Sequence, residues 1–354
     1  MLTNNNKSIL MDYLKTAGIS GHENPIREVI KQKWAPWVDE FSITPLGSLH
    51  GKKKGLGSNP ANKIMIAAHM DVIGFIVNRI ENDFIYFSAV GGFDPRILPG
   101  QAVTISGSRD VPGIIAQPPD ALLPPEYKSH PIPLEWLVID TGLDGQELES
   151  LVKIGDPITF ADPPIELGEE LISGHGLDNR ASVTALTICM EELTHKKHVW
   201  DVIAAATTSE ELTLGGAYTS SFQEKPAMAI ALDVTFAKNL GLDEYNTFPL
   251  GKGLPLGFGP NLHPYLYKKM KDLCMELDIP FHTEIMPGHS GTDAYAIQVS
   301  NDGIPAMMIS IPLRYMHTPV ETVHIKDITR AGHLLAEWVC RLDEGFIDQI
   351  TWDD

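Results

Sequence analysis

The sequence predicts an α/β fold: a mainly parallel, mixed sheet with helices on both faces, interrupted by an inserted small all-β domain. Three observations carry this. Continuous apolar runs of strand length at 63–71, 202–208 and 228–234 mark strands buried on both faces. Stretches with helical spacing alternate with them, the pattern of a parallel sheet wrapped by helices. From 74 to 160 the texture changes to short apolar runs broken by Pro and Gly, which suits a small β unit. The α/β domain is therefore expected at 1–73 and 161–354, with the insertion at 74–160.

Taken in order, residues 7–17 and 24–34 place Ile9, Leu10, Tyr13 and Leu14, then Ile26, Val29 and Ile30, on helical faces separated by turn formers. A strand at 41–44 leads to the lysines at 52–54, which lie between Gly51 and Gly55 and read as an exposed hairpin tip. The strand 63–71 ends in His69 and Asp71. The insertion carries runs at 84–89, 102–105, 113–116, 136–139 and 157–160, with a proline-rich loop at 117–133. Beyond it, Val183, Leu186, Met190 and Leu193 share one helical face. Strands at 202–208, 228–234, 281–286 and 306–311 then alternate with helices at 216–222, 263–277 and 292–299, and an amphipathic helix at 326–344 closes the chain.

A length of 354 residues with 43% hydrophobic content suits one large domain or two ordinary ones with real cores. The formal charge of −19, from 46 acidic and 27 basic residues, disfavours nucleic acid and anionic membrane surfaces as partners. No apolar stretch reaches the ~18 residues of a membrane span, and residues 1–18 do not read as an export signal. Cys189, Cys274 and Cys340 are far apart and odd in number, which suits a reducing cytoplasm rather than a disulfide framework. A soluble cytoplasmic protein is expected.

The chemistry centres on residues 202–217, where an apolar strand breaks into Glu210 and Glu211 and then two glycines. Adjacent side chains at a strand end point in different directions, so one glutamate can hold a metal while the other faces the water beside it. Other apolar runs also end in ligand types: His69 and Asp71, Asp233 and, a little past the last of them, His317. Asp178 stands at the turn opening a helix. In a mostly parallel sheet such ends gather on one edge. Singly, each has an ordinary reading: Glu-Glu as solvated charge, Asp178 as an N-cap, Asp233 as a strand-terminal turn residue, His317 as a loop histidine. Jointly, two histidines with several carboxylates and no thiolate describe a site for zinc, cobalt or manganese. The ligands suffice for two divalent ions about 3.5–4 Å apart if one carboxylate bridges. Asp178, in a tight turn, is the bridging candidate, and Asp71 is placed to orient the His69 ring. Gly291, Thr292 and Asp293, where a glycine turn opens a helix, are candidate substrate-binding residues.

The stretches AAHMDVIGF (67–75), GGFDPRILPGQ (91–101), GLDNR (176–180), TTSEELTLGGA (207–217), ALDVT (231–235), GTDAYAIQ (291–298) and RYMHTPVE (314–321) together resemble the tetrahedral, or glutamyl, aminopeptidase family. The resemblance implies a metal-dependent enzyme that removes N-terminal residues from short peptides. It implies that His69 and Asp233 hold one ion, Glu211 and His317 the other, and that Asp178 bridges, with Glu210 as general base and Asp71 orienting His69. It further implies that the β-rich insertion is a dimerisation domain and that dimers build a tetrahedral dodecamer. Three positions depart from the family pattern: Val72 stands where an acidic residue is usual, Thr318 where serine is common, and His175 where a different polar residue is expected. A carboxypeptidase or N-acyl-amino-acid deacylase of the same metal chemistry is the nearest rival, with Arg180 or Arg314 as the anchor for a substrate carboxylate. An inactive metal-stabilised assembly needs no base, and a glycosidase needs carboxylates about 5 Å or more apart, a poor fit to adjacent Glu210 and Glu211.

Overall fold

The computed structural model describes residues 2–351 apart from 120, 128, 129 and 243. Alternation along the strand Lys63–His69 dictates the layering. Ile64, Ile66 and Ala68 pack into one core, Met65 and Ala67 into another. Val202, Ala204 and Ala206 divide from Ile203 and Ala205 in the same way along Asp201–Thr207, as do Ile230 and Leu232 from Ala229 and Ala231 along Met228–Phe236. Pleating sends successive side chains to opposite faces, so a strand apolar throughout needs a helical layer on each side. The helices Leu2–Leu14, Asn24–Trp34, Leu177–Leu193 and Ile325–Cys340 cover the first face. The shorter helices Gly215–Glu224 and Asp293–Gln298 cover the second, which is mostly alanine.

Among the described residues the sheet has eleven strands, with a parallel centre in the order Asp201–Thr207, Lys63–His69, Met228–Phe236, Ala306–Arg314. Leu49–Lys53 flanks it antiparallel on one side and Thr322–His324 on the other. The carboxyl ends of the four central strands therefore share one edge. Six further strands, Gly74–Glu81, Phe84–Val90, Ala102–Ser106, Asp110–Ala116, Val138–Asp140 and Pro157–Phe160, close into a barrel with a core of its own. Phe75 anchors that core, stacked on Phe93 at 4.5 Å and edge-on to Phe87 at 4.9 Å between ring centroids. Among the described residues no helix is long and apolar enough to cross a membrane.

Three local expectations are corrected. Lys52 and Lys53 are not a hairpin tip but belong to the strand Leu49–Lys53, which pairs with both Glu40–Ile43 and Asp201–Thr207. Gly51 misleads because it answers to packing rather than to a turn: a Cβ there would lie 3.0 Å from the Trp34 ring. The first helix ends at Leu14 rather than at 17, and Arg180 Nη1 donates to the carbonyls of Tyr13 and Thr16 just at that end. Asp233 is also not strand-terminal, since pairing with Ala306–Arg314 continues to Phe236.

Candidate active site

His69 closes its strand opposite Thr207, and the register Ala231↔Ala67 carries Asp233 up beside it on the alanine-rich face. Asp233 Oδ1 lies 3.6 Å from His69 Nε2. Asp178, at the opening of the Leu177–Leu193 helix, places Oδ1 3.2 Å from His69 Nε2 and Oδ2 3.5 Å from His317 Nε2. Glu211 Oε2 is 3.4 Å from His317 Nε2, and Glu210 Oε2 is 3.7 Å from His69 Nε2. The fold thus gathers all the residues singled out as ligands or base. They form three overlapping groups, each with its ligand atoms within 4.8 Å of one another: His69, Asp178 and Asp233; Asp178, Glu211 and His317; His69, Glu210 and Glu211.

Asp71 serves the site through both main chain and side chain. Its carbonyl oxygen is 3.0 Å from His69 Nδ1, nearer than its carboxylate Oδ1 at 3.6 Å, so the ring is oriented chiefly by backbone. The carboxylate instead accepts the backbone N–H of Glu210 at 3.1 Å and of Glu211 at 3.3 Å, and the Ser20 hydroxyl at 2.6 Å. Glu321, which sequence reasoning missed, does similar work opposite. Its carboxylate accepts the backbone N–H of His317 at 2.9 Å and of Asp178 at 3.1 Å, tying the loop histidine to the shared aspartate. Its only sequence signal is its place in the RYMHTPVE stretch, four residues beyond His317.

A cavity of about 800 Å³ opens over these groups, walled by Phe236, Ile285, Met286, Met308 and Met316 among others. Gly291 and Thr292 line it, whereas Asp293 lies behind the wall, where its Oδ2 accepts the Thr207 hydroxyl at 2.5 Å. Glu284 also lines the cavity and was likewise missed; it accepts the hydroxyls of Thr235 and, at 2.5 Å, Ser310. No lysine or arginine is among the described residues lining the cavity.

The charges are unbalanced. Burial pushes the Glu210 carboxyl up to about 9; His69 opposes the rise, while Asp233, Asp293 and Asp178 add to it. Burial and the Asp178 charge likewise hold Glu211 well above the ordinary carboxylate range. Burial would raise Asp178 too, but hydrogen bonds from His317 and His69 outweigh it and hold that carboxyl low. Burial would depress His69, and its carboxylate neighbours, Glu210 foremost, reverse the sign. Glu211 Oε1 is buried without a hydrogen-bond partner. Crowded carboxylates, two imidazoles and an orphaned oxygen lack positive charge and a partner, both of which a divalent cation supplies. The residues present fit a metal.

The profile of the M42 glutamyl aminopeptidase family matches residues 47–334. The chain belongs to this family. Lysyl aminopeptidase of Pyrococcus furiosus is 33% identical over 334 residues, covering 90% of this chain and 92% of the relative. Among solved structures, a TET aminopeptidase from the marine sediment archaeon Thaumarchaeota archaeon SCGC AB-539-E09 matches with a TM-score of 0.93 at 28% identity, over 99% of this chain and 100% of that one. The Pyrococcus horikoshii TET1 peptidase matches with a TM-score of 0.83 at 30% identity, over 95% and 100%. The protein is thus a peptide hydrolase of the aminopeptidase class. In this aminopeptidase, Val72 joins Ile19 and Val90 in a small apolar cluster at the barrel junction. Thr318 caps its own turn, accepting Val320 N–H at 3.3 Å. His175 stands edge-on to Phe160 at 4.9 Å, and burial drives its pKa down to about 3, so the ring is neutral.

Proposed function

We propose that this aminopeptidase cuts single residues from the N-terminus of short peptides, with Glu210 as general base at a pair of divalent metal ions. The observation that carries the reading is the Asp178 carboxylate, which turns one oxygen to His69 and the other to His317 and so serves two ligand groups at once. His69 and Asp233 would hold one ion, Glu211 and His317 the other, with Asp178 shared. Zinc is the first expectation and cobalt or manganese the alternatives; such ions would polarise the scissile carbonyl and acidify the attacking water.

Glu210 is the carboxylate left over once both groups have their ligands. It takes the proton of the attacking water and returns it to the leaving amine. Positive charge added beside it would draw its pKa down from about 9 towards neutrality, where one carboxyl can do both. Asp71 and Glu321 hold the backbone that presents Glu210, Glu211, Asp178 and His317. Gly291 and Thr292 would contact the first side chain of the peptide.

A wall rich in carboxylates and, among the described residues, without lysine or arginine suits a substrate entering by its free amine. The rival carboxypeptidase and deacylase need a cationic anchor. Arg180 is buried and donates to main-chain carbonyls at the end of the first helix, and Arg314 Nε donates to the Lys238 carbonyl. The reading includes a homo-oligomer in which the barrel mediates dimers that build a tetrahedral dodecamer. It leans on the Pyrococcus horikoshii TET1 peptidase, which can assemble into a tetrahedron or a large octahedral shell. It also includes a cytoplasmic location.

The test is hydrolysis of one short peptide in free, N-acetylated and C-amidated forms by protein stripped of metal and resupplied with zinc, cobalt or manganese. Stepwise cutting of the free and amidated forms from the N-terminus, only with metal, is the expected result. A requirement for a free C-terminus moves the function to a carboxypeptidase, cutting of the acetylated form moves it to deacylation, and silence with every metal supports an inactive assembly.

A further inference from the structure

The loop joining the first two helices grips the double-glutamate corner from two sides. Beside Asp71 its backbone pairs with Val72: Val72 N donates to Gly18 O at 3.1 Å and Ser20 N to Val72 O at 3.3 Å. Ser20 reaches the Asp71 carboxylate, which in turn receives the N–H groups of Glu210 and Glu211. Glu23 takes the other side. Its Oε1 accepts Gly21 N–H at 2.8 Å, Ser209 N–H at 3.2 Å and the Thr208 hydroxyl. Glu23 is only 5% exposed, so the ordinary reading of a charged residue in a turn, a solvated carboxylate, does not apply.

The backbone that Glu23 holds needs holding. Ser209 sits at φ 55° and ψ 34°, the left-handed region that side chains larger than glycine seldom enter. Such a conformation persists only where the surroundings over-determine it. The next residue is Glu210, and its side-chain direction follows from the Ser209 turn. Glu23 does not line the cavity, belongs to none of the three ligand groups, and precedes the span that matches the family profile.

We infer that Glu23 is a positioning residue for Glu210: a buried carboxylate that holds the Thr208–Ser209 corner in its left-handed turn and so aims the base at the reacting water. The inference rests on the reading of Glu210 as the base. Glu23 acts on aim and leaves metal binding alone, because the backbone N–H groups of the ligand residues Glu211, Asp178 and His317 are held by Asp71 and Glu321 instead.

The test compares the metal-loaded enzyme with Glu23→Ala, Glu23→Gln and Thr208→Val, following kcat, KM and bound metal on a free-amine tripeptide, with Glu210→Gln alongside. In Glu23→Ala, kcat should fall about 10- to 100-fold with metal content unchanged and KM within about threefold. Glu23→Gln, whose amide oxygen still accepts the Ser209 N–H, should recover most of that loss. Thr208→Val removes one of the three donors and should lose kcat by less than Glu23→Ala. Unchanged kcat in Glu23→Ala, a loss that tracks missing metal, or no recovery in Glu23→Gln overturns the inference. Should Glu23→Ala fail to fold, Thr208→Val decides: lowered kcat at full metal content supports the inference and wild-type kcat overturns it. Wild-type turnover in Glu210→Gln would instead remove the base assignment, separately from whatever the Glu23 variants show.

Discussion

Among the described residues, two buried histidine and carboxylate clusters are built on strands of the same sheet, and only the one around His69 opens on the cavity. On the strand Leu49–Lys53, His50 Nδ1 lies 3.0 Å from Glu224 Oε1 and its Nε2 2.8 Å from Ser220 Oγ, while Lys52 Nζ reaches Glu224 Oε2 at 2.9 Å. Hydroxyl, imidazole and carboxylate stand in series, the order of a nucleophilic triad. Yet Ser220 is fully buried, none of the three lines the active-site cavity, and the cluster is closed: each ring nitrogen has a partner and Glu224 has a cation. Burial would raise Glu224, but hydrogen bonds from His50 and Lys52 outweigh it and hold its carboxyl down at about 2. Around His69 everything is reversed. Carboxylates outnumber their partners, Glu210 is pushed to about 9, and a buried oxygen of Glu211 goes unpaired. The residue types scarcely differ; what separates scaffold from site is the unmet demand for positive charge, together with access to the cavity.

That contrast breaks most sharply at Asp178. Asp178→Asn removes the negative charge of the proposed shared ligand and replaces one of its two oxygens with an amide NH2, and turnover should fall about 1000-fold or more with bound metal lost, as elemental analysis of the purified variant would report. Stripping metal from the wild-type protein should lower the melting temperature by about 5 °C or more, with a loss that grows with pH. The sign follows from Glu210: its folded-state pKa is raised, so in stripped protein its contribution to stability is complete below about 4.3 and is lost as pH rises through about 9. Melting curves of stripped and loaded protein from pH 5 to 9 would show the gap widening.

The closed cluster should behave oppositely. Glu224→Gln is expected to cost about 1–3 kcal/mol of stability in urea unfolding with turnover unchanged. Because the folded-state pKa of Glu224 is lowered, that difference is present above about 4.3 and disappears as pH falls towards 2. Ser220→Ala should cost least, about 0.5–1.5 kcal/mol, again without effect on turnover; a loss of activity there would mean that the His50 cluster reaches the chemistry after all.

Much of this was legible in the chain itself. A buried parallel strand writes a continuous apolar run, and when that run ends in His69, or leads into Glu210 and Glu211, periodicity and chemistry mark the same place. Parallel polarity then brings the ends together without further information. The braces were less legible. Glu321 and Glu23 serve backbone N–H groups of Asp178 and Ser209, which lie 143 and 186 residues away along the chain, and a peptide group carries no residue-type signature. Asp71 was singled out for its carboxylate, yet its backbone oxygen is nearer the His69 ring and its carboxylate seats the glutamates. The lysines at 52–54 misled for a related reason: their flanking Gly51 answers to Trp34, a tertiary contact invisible in local composition.

Everything proposed for the chemistry depends on a division of labour between two adjacent glutamates, so Glu210→Gln and Glu211→Gln should be measured side by side for bound metal and turnover. The expected result is that Glu210→Gln keeps its full metal content while turnover falls about 1000-fold or more, whereas Glu211→Gln loses metal together with activity. Parallel loss of metal in both variants, or wild-type turnover in Glu210→Gln, would contradict the assignment of Glu210 as base and Glu211 as ligand.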